Sequence, residues 1–203
     1  DLKRREFADE VTQDIDTVFH LAADHGGRGY IAEHPANCAT NMALDTTVYE
    51  AAVKNNVNKI TFASSACVYP TDIQQSKTRL REEMVDFDER GGAYADEMYG
   101  WAKLMGERSL QAFEEQYDID ASIVRIFSAY GPRENETHAV MALIAKAYTE
   151  QDPFQIWGDG NQSRNFTYVS DIVKALQLAA EQITDPTAVN ADVSRHITIT
   201  HTA

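Results

Sequence analysis

Short apolar runs alternate along this chain with longer stretches in which apolar residues recur every three or four positions, the pattern of strands alternating with helices. Thr17-Val18-Phe19-His20-Leu21-Ala22-Ala23 predicts a buried strand, and the small residues and Gly-bearing loop after it predict a C-terminal end that faces a ligand crevice. Residues from about 35 to 56 predict a helix with Pro35 in its first turn and Leu44, Val48 and Ala51 or Ala52 on one face. Lys59-Ile60-Thr61-Phe62-Ala63-Ser64-Ser65 predicts the next strand, again with its polar residues at the end. A second long helix from about 94 to 117 and a strand over 121–126 complete a βαβαβ order. With no internal repeat, low-complexity tract or Pro/Ser linker, the expected architecture is α/β with a parallel sheet.

Beyond Gly131-Pro132 the elements shorten. The pattern predicts a helix over about 137–149, a strand near 154–157, a turn at Gly158-Asp159-Gly160, a strand near 165–168 and a helix over about 170–182. Short β-branched runs from Val189 to Ala203 close the chain. This second part reads as a smaller lobe.

Composition narrows the function. At 203 residues and 43% hydrophobic the chain can bury a real core. Its 18 basic and 32 acidic residues leave a formal charge of -14, which disfavours nucleic acid and anionic membranes as partners. A phosphate-bearing ligand must therefore meet a local basic pocket. The acidic surface fits an ordinary acidic cytosolic enzyme, and also a high-salt habitat. Cys38 and Cys67 are far apart and lack metal-ligand spacing, so neither a disulfide framework nor a metal site is expected. No apolar run approaches the roughly 18 residues of a membrane span, and no signal peptide is recognisable, so a cytoplasmic protein is expected. The first residue is Asp1 rather than Met, which raises the expectation that the natural N-terminus lies upstream.

Tyr99 and Lys103 are four apart on a predicted helix and so share one face. Alone, that spacing also describes a packed tyrosine beside a snorkelling lysine. The surroundings add weight: one strand ends in Ser64-Ser65-Ala66-Cys67-Val68-Tyr69-Pro70 and the next in Arg125-Ile126-Phe127-Ser128-Ala129-Tyr130-Gly131-Pro132, and in an open parallel sheet those ends share a rim. These segments, together with His20-Leu21-Ala22-Ala23, Tyr99-Gly100-Trp101-Ala102-Lys103, Trp157-Gly158-Asp159-Gly160 and Arg164-Asn165-Phe166-Thr167-Tyr168-Val169-Ser170-Asp171, occur in the order found in a known family. The chain resembles the extended short-chain dehydrogenase/reductases, specifically the NAD-dependent nucleotide-sugar epimerases and dehydratases.

The resemblance implies a Rossmann-like doubly wound sheet lacking its first βαβ elements, with residues 1–132 as a partial NAD-binding domain and 133–203 as part of a substrate lobe, segments exchanging between the two. It implies that Ser65, Tyr99 and Lys103 act on a sugar hydroxyl. A phenol of pKa about 10 is a poor base at neutral pH, so the Lys103 ammonium and the cationic nicotinamide would stabilise the Tyr99 phenolate while Ser65 bonds the reacting oxygen. Asp1, Leu2, Leu21, Ala22 and Ala23 fall at family positions near the cofactor, and Lys103 at the position that bonds the nicotinamide ribose.

Ala66-Cys67-Val68-Tyr69-Pro70 and the loop Ala22-Ala23-Asp24-His25-Gly26-Gly27-Arg28-Gly29-Tyr30-Ile31 look most like the GDP-mannose 3,5-epimerases. There the implied roles are Cys67 as the base at C3 and C5 and Gly26 and Gly27 in a loop over the sugar, although Cys67 also reads as a small buried hydrophobe. Two departures stand out. The family's proton-donating lysine after Tyr-Gly-Pro is replaced by His138, which can donate a proton or lie on the surface, and its sugar-binding Asn is replaced by Ser128. Lys146, Gln162 and Arg164 match positions that hold the nucleotide diphosphate, with Lys146 equally readable as a solvated charge. Turn formation and helix capping explain Asp159 and Asp171 without a catalytic role.

No Gly-x-x-Gly-x-x-Gly occurs, although the family opens with that pyrophosphate-cradling turn. The expected explanation is that the turn lies upstream of Asp1. The competing expectations are an NAD-dependent epimerase of nucleotide-diphosphate sugars acting at C3/C5, a UDP-hexose 4-epimerase, and a non-catalytic relative that only binds a nucleotide or partner. A homodimer through the two long helices is also implied by the resemblance.

Overall fold

The computed structural model describes residues 1–74, 78–85, 95–156, 163–192 and 196–198, with the side chains of 163, 164 and 196–198 left aside. The elements run α1 (Arg5–Val11), β1 (Thr17–His20), α2 (Arg28–Glu33), α3 (Pro35–Ala39), α4 (Asn41–Lys54), β2 (Lys59–Ser65), a 3-10 turn (Ala66–Val68), α5 (Thr71–Gln74) and a second 3-10 turn (Glu82–Met84). They continue with α6 (Glu97–Tyr117), β3 (Asp120–Ile126), β4 (Ser128–Tyr130), α7 (Ala139–Tyr148), β5 (Ser163–Tyr168), α8 (Val169–Gln182), β6 (Ala188–Ala191) and β7 (His196–Thr198).

One sheet has the order β1-β2-β3-β6 and is parallel throughout, as the alternation of strands and helices predicts. Its register places His20 beside Phe62 and Ser65 beside Ile126, so the polar strand ends do share a rim. A parallel sheet must be covered on both faces, and successive residues of β3 point to opposite sides. Ile123 joins Ile60, Phe62, Ala121 and the helical residues Val48, Tyr49 and Leu110 on the α4/α6 side. Val124 joins Ile172, Leu176 and Ala179 of α8 on the other, with Ala191 of β6. Full burial of each large side chain here contributes about 1.5–3 kcal/mol. Thus α8 and β6 pack with the first sheet, while β4, β5 and β7 form a second one, in which β5 runs parallel to β4 and antiparallel to β7.

Three predicted boundaries move for local reasons. The first strand stops at His20 because Asp24 is clamped to α4: its N–H donates to Asn41 Oδ1 at 2.7 Å and its carbonyl accepts from Asn41 Nδ2 at 2.9 Å, drawing Leu21–Ala23 off the sheet. The helix expected over 35–56 divides at Thr40, whose hydroxyl bonds back to the Asn37 carbonyl at 2.7 Å and whose N–H turns to Asn37 and Cys38. No strand forms over 154–156, where the Gln155 carbonyl accepts a hydrogen bond from Lys146 Nζ at 2.8 Å; Trp157 and the turn at 158–160 lie outside the described residues. Among the described residues no helix is long and apolar enough to cross a membrane.

Candidate functional site

The site is built where β2 gives way to its 3-10 turn. Ser65 caps that turn, its hydroxyl accepting the Cys67 N–H at 3.2 Å. The turn is closed by the Tyr69 N–H on the Ala66 carbonyl, and its Cys67 carbonyl accepts the Asp96 N–H at 2.8 Å at the start of α6. Gly100 permits that approach, because a side chain there would collide with the Cys67 carbonyl. α6 is thereby set with Tyr99 and Cys67 both near Ser65, close enough for its hydroxyl to act on the Tyr99 phenol and on the Cys67 thiol. Lys103, one turn further, is buried. Its Nζ donates to the Ala63 carbonyl at 2.8 Å and stands 4.6 Å from the centroid of the Phe62 ring.

Burial sets the charge states. It pushes the Tyr99 phenol well up, and the anionic forms of Cys67, Cys38 and Asp45 push the same way, against the Ser65 hydrogen bond. It also raises the Cys67 thiol, opposed by Ser65 and by the Arg28 guanidinium, with Asp96 and Glu97 adding to the rise. Lys103 is pulled below the ordinary lysine value by burial and pushed back by Asp45 and Glu107. Tyr99 and Cys67 therefore stand as phenol and thiol at neutral pH.

The Gly-rich loop lies close by. Tyr30 donates its hydroxyl to Asp24 Oδ1 at 2.6 Å, and Gly26 is pressed onto the Tyr30 side chain so closely that a Cβ would come within 2.7 Å of it. Arg28 ties the loop to α6 through Asp96 and, at 3.4 Å, Glu97. A Cβ on Gly27 would lie 3.5 Å from His138 Cδ2, so His138 faces this loop. It stands at the N-terminal boundary of α7, half-buried, with Nδ1 2.8 Å from Glu134 Oε1. His25 is a group that the sequence reading did not single out. Its pKa is lowered by burial and then by the charges of His138 and Lys103, with Asp24 opposing, which sets it within electrostatic reach of both.

The remaining candidates are more dispersed. Leu21, Ala22 and Ala23 continue from the end of β1, with Leu21 exposed and the alanines half-buried. Ser128 opens β4, two residues past the β3 end that pairs with Ser65, and is exposed. Leu2 packs against the sheet core, whereas Asp1 is exposed and its carboxylate accepts the Lys3 N–H at 3.0 Å. Lys146 is held by the Gln155 carbonyl. Gln162 lies outside the described residues, as does the side chain of Arg164, whose backbone runs in β5.

A model of the NAD dependent epimerase/dehydratase family matches residues 1–191. GDP-mannose 3,5-epimerase of Arabidopsis thaliana is 32% identical over 198 residues, 95% of this chain and 52% of that protein. The chain spans about half the length of the curated relatives it matches first. Among solved structures, a UDP-N-acetylglucosamine 4-epimerase from Methanobrevibacter ruminantium M1 in complex with UDP-N-acetylmuramic acid superposes with a TM-score of 0.79 at 29% identity, over 95% of this chain and 59% of that one. A UDP-glucuronic acid 4-epimerase from Bacillus cereus, in complex with UDP-glucuronic acid and NAD, gives 0.79 at 26% identity, over 95% and 58%.

Proposed function

Since the chain belongs to the NAD dependent epimerase/dehydratase family, we propose that it is an NAD-dependent epimerase of a nucleotide-diphosphate sugar, inverting C3 and C5 as GDP-mannose 3,5-epimerases do. The observation that carries the reading is the docking of the Ser65–Cys67 turn against the start of α6, which brings Tyr99 and Cys67 near one serine, with Lys103 one turn behind and His138 across Gly27. That arrangement provides an oxidation centre and a proton-exchange centre within one rim.

The residues fit a nicotinamide. The Asp45 carboxylate that bears on Tyr99 favours a cationic ring, and the small Ala22 and Ala23 lead toward the rim. Ser65, Tyr99, Lys103 and the Leu21–Ala23 segment would hold that end of NAD, with Asp1 and Leu2 toward the adenine. Bound NAD supplies a hydride acceptor and a positive charge beside the phenol.

Each residue then has a task. Ser65 fixes the reacting C4 oxygen. Tyr99 first gives up its own proton to solvent, which the Lys103 ammonium and a bound cationic nicotinamide would favour, and the phenolate then takes the C4 hydroxyl proton. Oxidation of C4 to a ketone acidifies the hydrogens at C3 and C5. Cys67 and His138 exchange those protons, one removing and the other returning, with His138 steadied by Glu134. Return of a proton from Tyr99 to the C4 oxygen accompanies re-reduction. Ser128, Lys146, Gln162 and Arg164 would contact the sugar and its diphosphate, and Gly26 and Gly27 would close over the sugar.

A UDP-hexose 4-epimerase is the second reading, favoured by the elevated thiol pKa of Cys67 and by the structural likeness to UDP-sugar 4-epimerases. The two separate by incubation with NAD in D2O. Deuterium entering C3 or C5 of GDP-mannose is the expected result. Absence of exchange, with inversion at C4 of a UDP-hexose, overturns it.

A further inference from the structure

The core beneath Lys103 contains two enclosed carboxylates, Asp45 of α4 and Glu107 of α6. Their surroundings differ. Glu107 is fully engaged: Arg125 donates to its two oxygens at 2.9 and 2.7 Å, and the Ser64 hydroxyl donates as well. Among the described residues Asp45 has a single hydrogen-bond partner, His20 Nε2, 2.7 Å from Oδ1. Its Oδ2 is buried and has no hydrogen-bond partner among the described residues. An unpaired carboxylate oxygen in an interior is costly, so its retention calls for a compensating charge nearby.

Gly106 shows where that charge is. A Cβ on this residue would lie 2.7 Å from Asp45 Oδ2 and 2.7 Å from Phe62 Cζ, so the bare oxygen and the ring edge meet over the missing side chain. The ammonium of Lys103, three residues earlier on the same helix, stands over the face of that ring and is anchored by the Ala63 carbonyl. His20 approaches the ring too, with centroids 5.6 Å apart. Carboxylate, phenyl ring and ammonium thus form one buried cluster spanning α4, β2 and α6.

We propose that Asp45 is a positioning residue for the Tyr99–Lys103 pair: a half-paired carboxylate, aimed by His20 and given room by Gly106, that keeps the Lys103 ammonium charged across the Phe62 ring. The assignment rests on the redox reading of Tyr99 and Lys103. Its physical basis is the low dielectric between the groups, where a half-paired carboxylate acts over several ångströms. Glu107 bears on the same ammonium from α6, but Arg125 of β3 neutralises it. Tyr49 of α4, Cys38 of α3, Cys67 of the 3-10 turn and Tyr99 itself are neutral as phenols and thiols, leaving Asp45, which shares Oδ1 with His20 and has Oδ2 bare, as the carboxylate of the cluster with no arginine partner. The charge balance agrees: Asp45 heads the groups that offset the burial of Lys103, ahead of Glu107.

The test is a carbon-13 NMR titration of protein labelled at lysine Cε and aspartate Cγ, with Lys103 assigned through Lys103→Arg. Asp45→Asn is expected to lower the Lys103 midpoint by about one pH unit, and Asp45→Glu to return it toward the starting value. A folded Asp45→Asn protein with an unmoved midpoint overturns the proposal. Should Asp45→Asn not fold, the unsubstituted protein decides. Asp45 Cγ is expected to show a step at the Lys103 midpoint that disappears in Lys103→Met, and a missing step overturns the proposal equally. Neither readout needs turnover, so a failed epimerase reading appears separately, in the deuterium experiment.

Discussion

The carbonyl of Cys67 fills the space that a side chain on Gly100 would need. The helix bearing Tyr99 and the turn bearing Cys67 are therefore set against each other by backbone contact, and any added atom at Gly100 must separate them. Gly100→Ala is expected to cost about 1–3 kcal/mol through overpacking, even though alanine is the better helix former. A thermal melt matching the unsubstituted protein would show that α6 slides back without loss. Tyr99 would move with the helix, so activity is expected to fall further than stability.

Tyr99 and Cys67 lie near the same serine, and in the proposed mechanism they serve different steps that substitution should separate. Tyr99→Phe is expected to reduce NAD reduction by about 10²–10⁴-fold, the range for loss of a general base. Cys67→Ala is expected to leave C4 oxidation in place and to remove deuterium exchange at C3 and C5. Absorbance at the reduced-cofactor band and NMR of the recovered sugar follow the two steps. Equal loss of both in Cys67→Ala would make Cys67 a packing residue of the turn.

Much of this arrangement was legible from the sequence because it depends on strand ends. Ile60 to Ser64 are uniformly buried, and a short apolar run that ends in polar residues reports both the strand and the rim. The apolar helix face Leu44, Val48, Ala51 and Ala52 was likewise readable, and all four are buried. Asp45 was not, because a charged residue in a helix ordinarily marks the solvent side. The signal that could have found it is Asn41-Asp45-Tyr49, a stripe of spacing four beside the apolar face, whose three members are fully enclosed. The early end of β1 was also invisible, since the Asn41 clamp on Asp24 joins residues 17 positions apart through side-chain hydrogen bonds that leave no periodic trace.

Several buried acids hold their protons more tightly than the unfolded chain does. Burial is the main cause for Cys67, Tyr49, Tyr69 and Tyr99 alike. Above the unfolded values, about 8.5 for a thiol and about 10 for a phenol, the unfolded chain sheds protons that the folded protein keeps, so stability falls as pH rises. Lys103 works in the opposite sense: its folded value is lowered, so between that value and the ordinary lysine value of about 10.4 it adds stability with rising pH. The acids outnumber it. Urea midpoints should decline from about pH 8.5 upward, and Cys67→Ala should flatten the first part of the decline. A flat profile to about pH 10.5 would contradict the charge states derived for the site.

Arg125 and Glu107 form a bidentate pair that is almost completely enclosed, and it links the site to the rest of the sheet. Arg125 also donates to the Glu82 carbonyl at 3.0 Å and to the Tyr69 hydroxyl at 3.4 Å, and Tyr69 donates onward to Asn190 of β6 at 2.6 Å. Removing one charge leaves the other stranded among these groups. Arg125→Met is expected to destabilise by about 3–5 kcal/mol, because Glu107 is then a buried, uncompensated carboxylate. Combining it with Glu107→Leu should recover most of that loss, since two enclosed apolar side chains need no counter-charge. A double-mutant cycle in urea gives the coupling directly. Additive losses would mean that solvent reaches the pair and screens it. Recovered stability without recovered turnover would show that the pair also holds Ser64, and with it the neighbouring Ser65, in register for Tyr99.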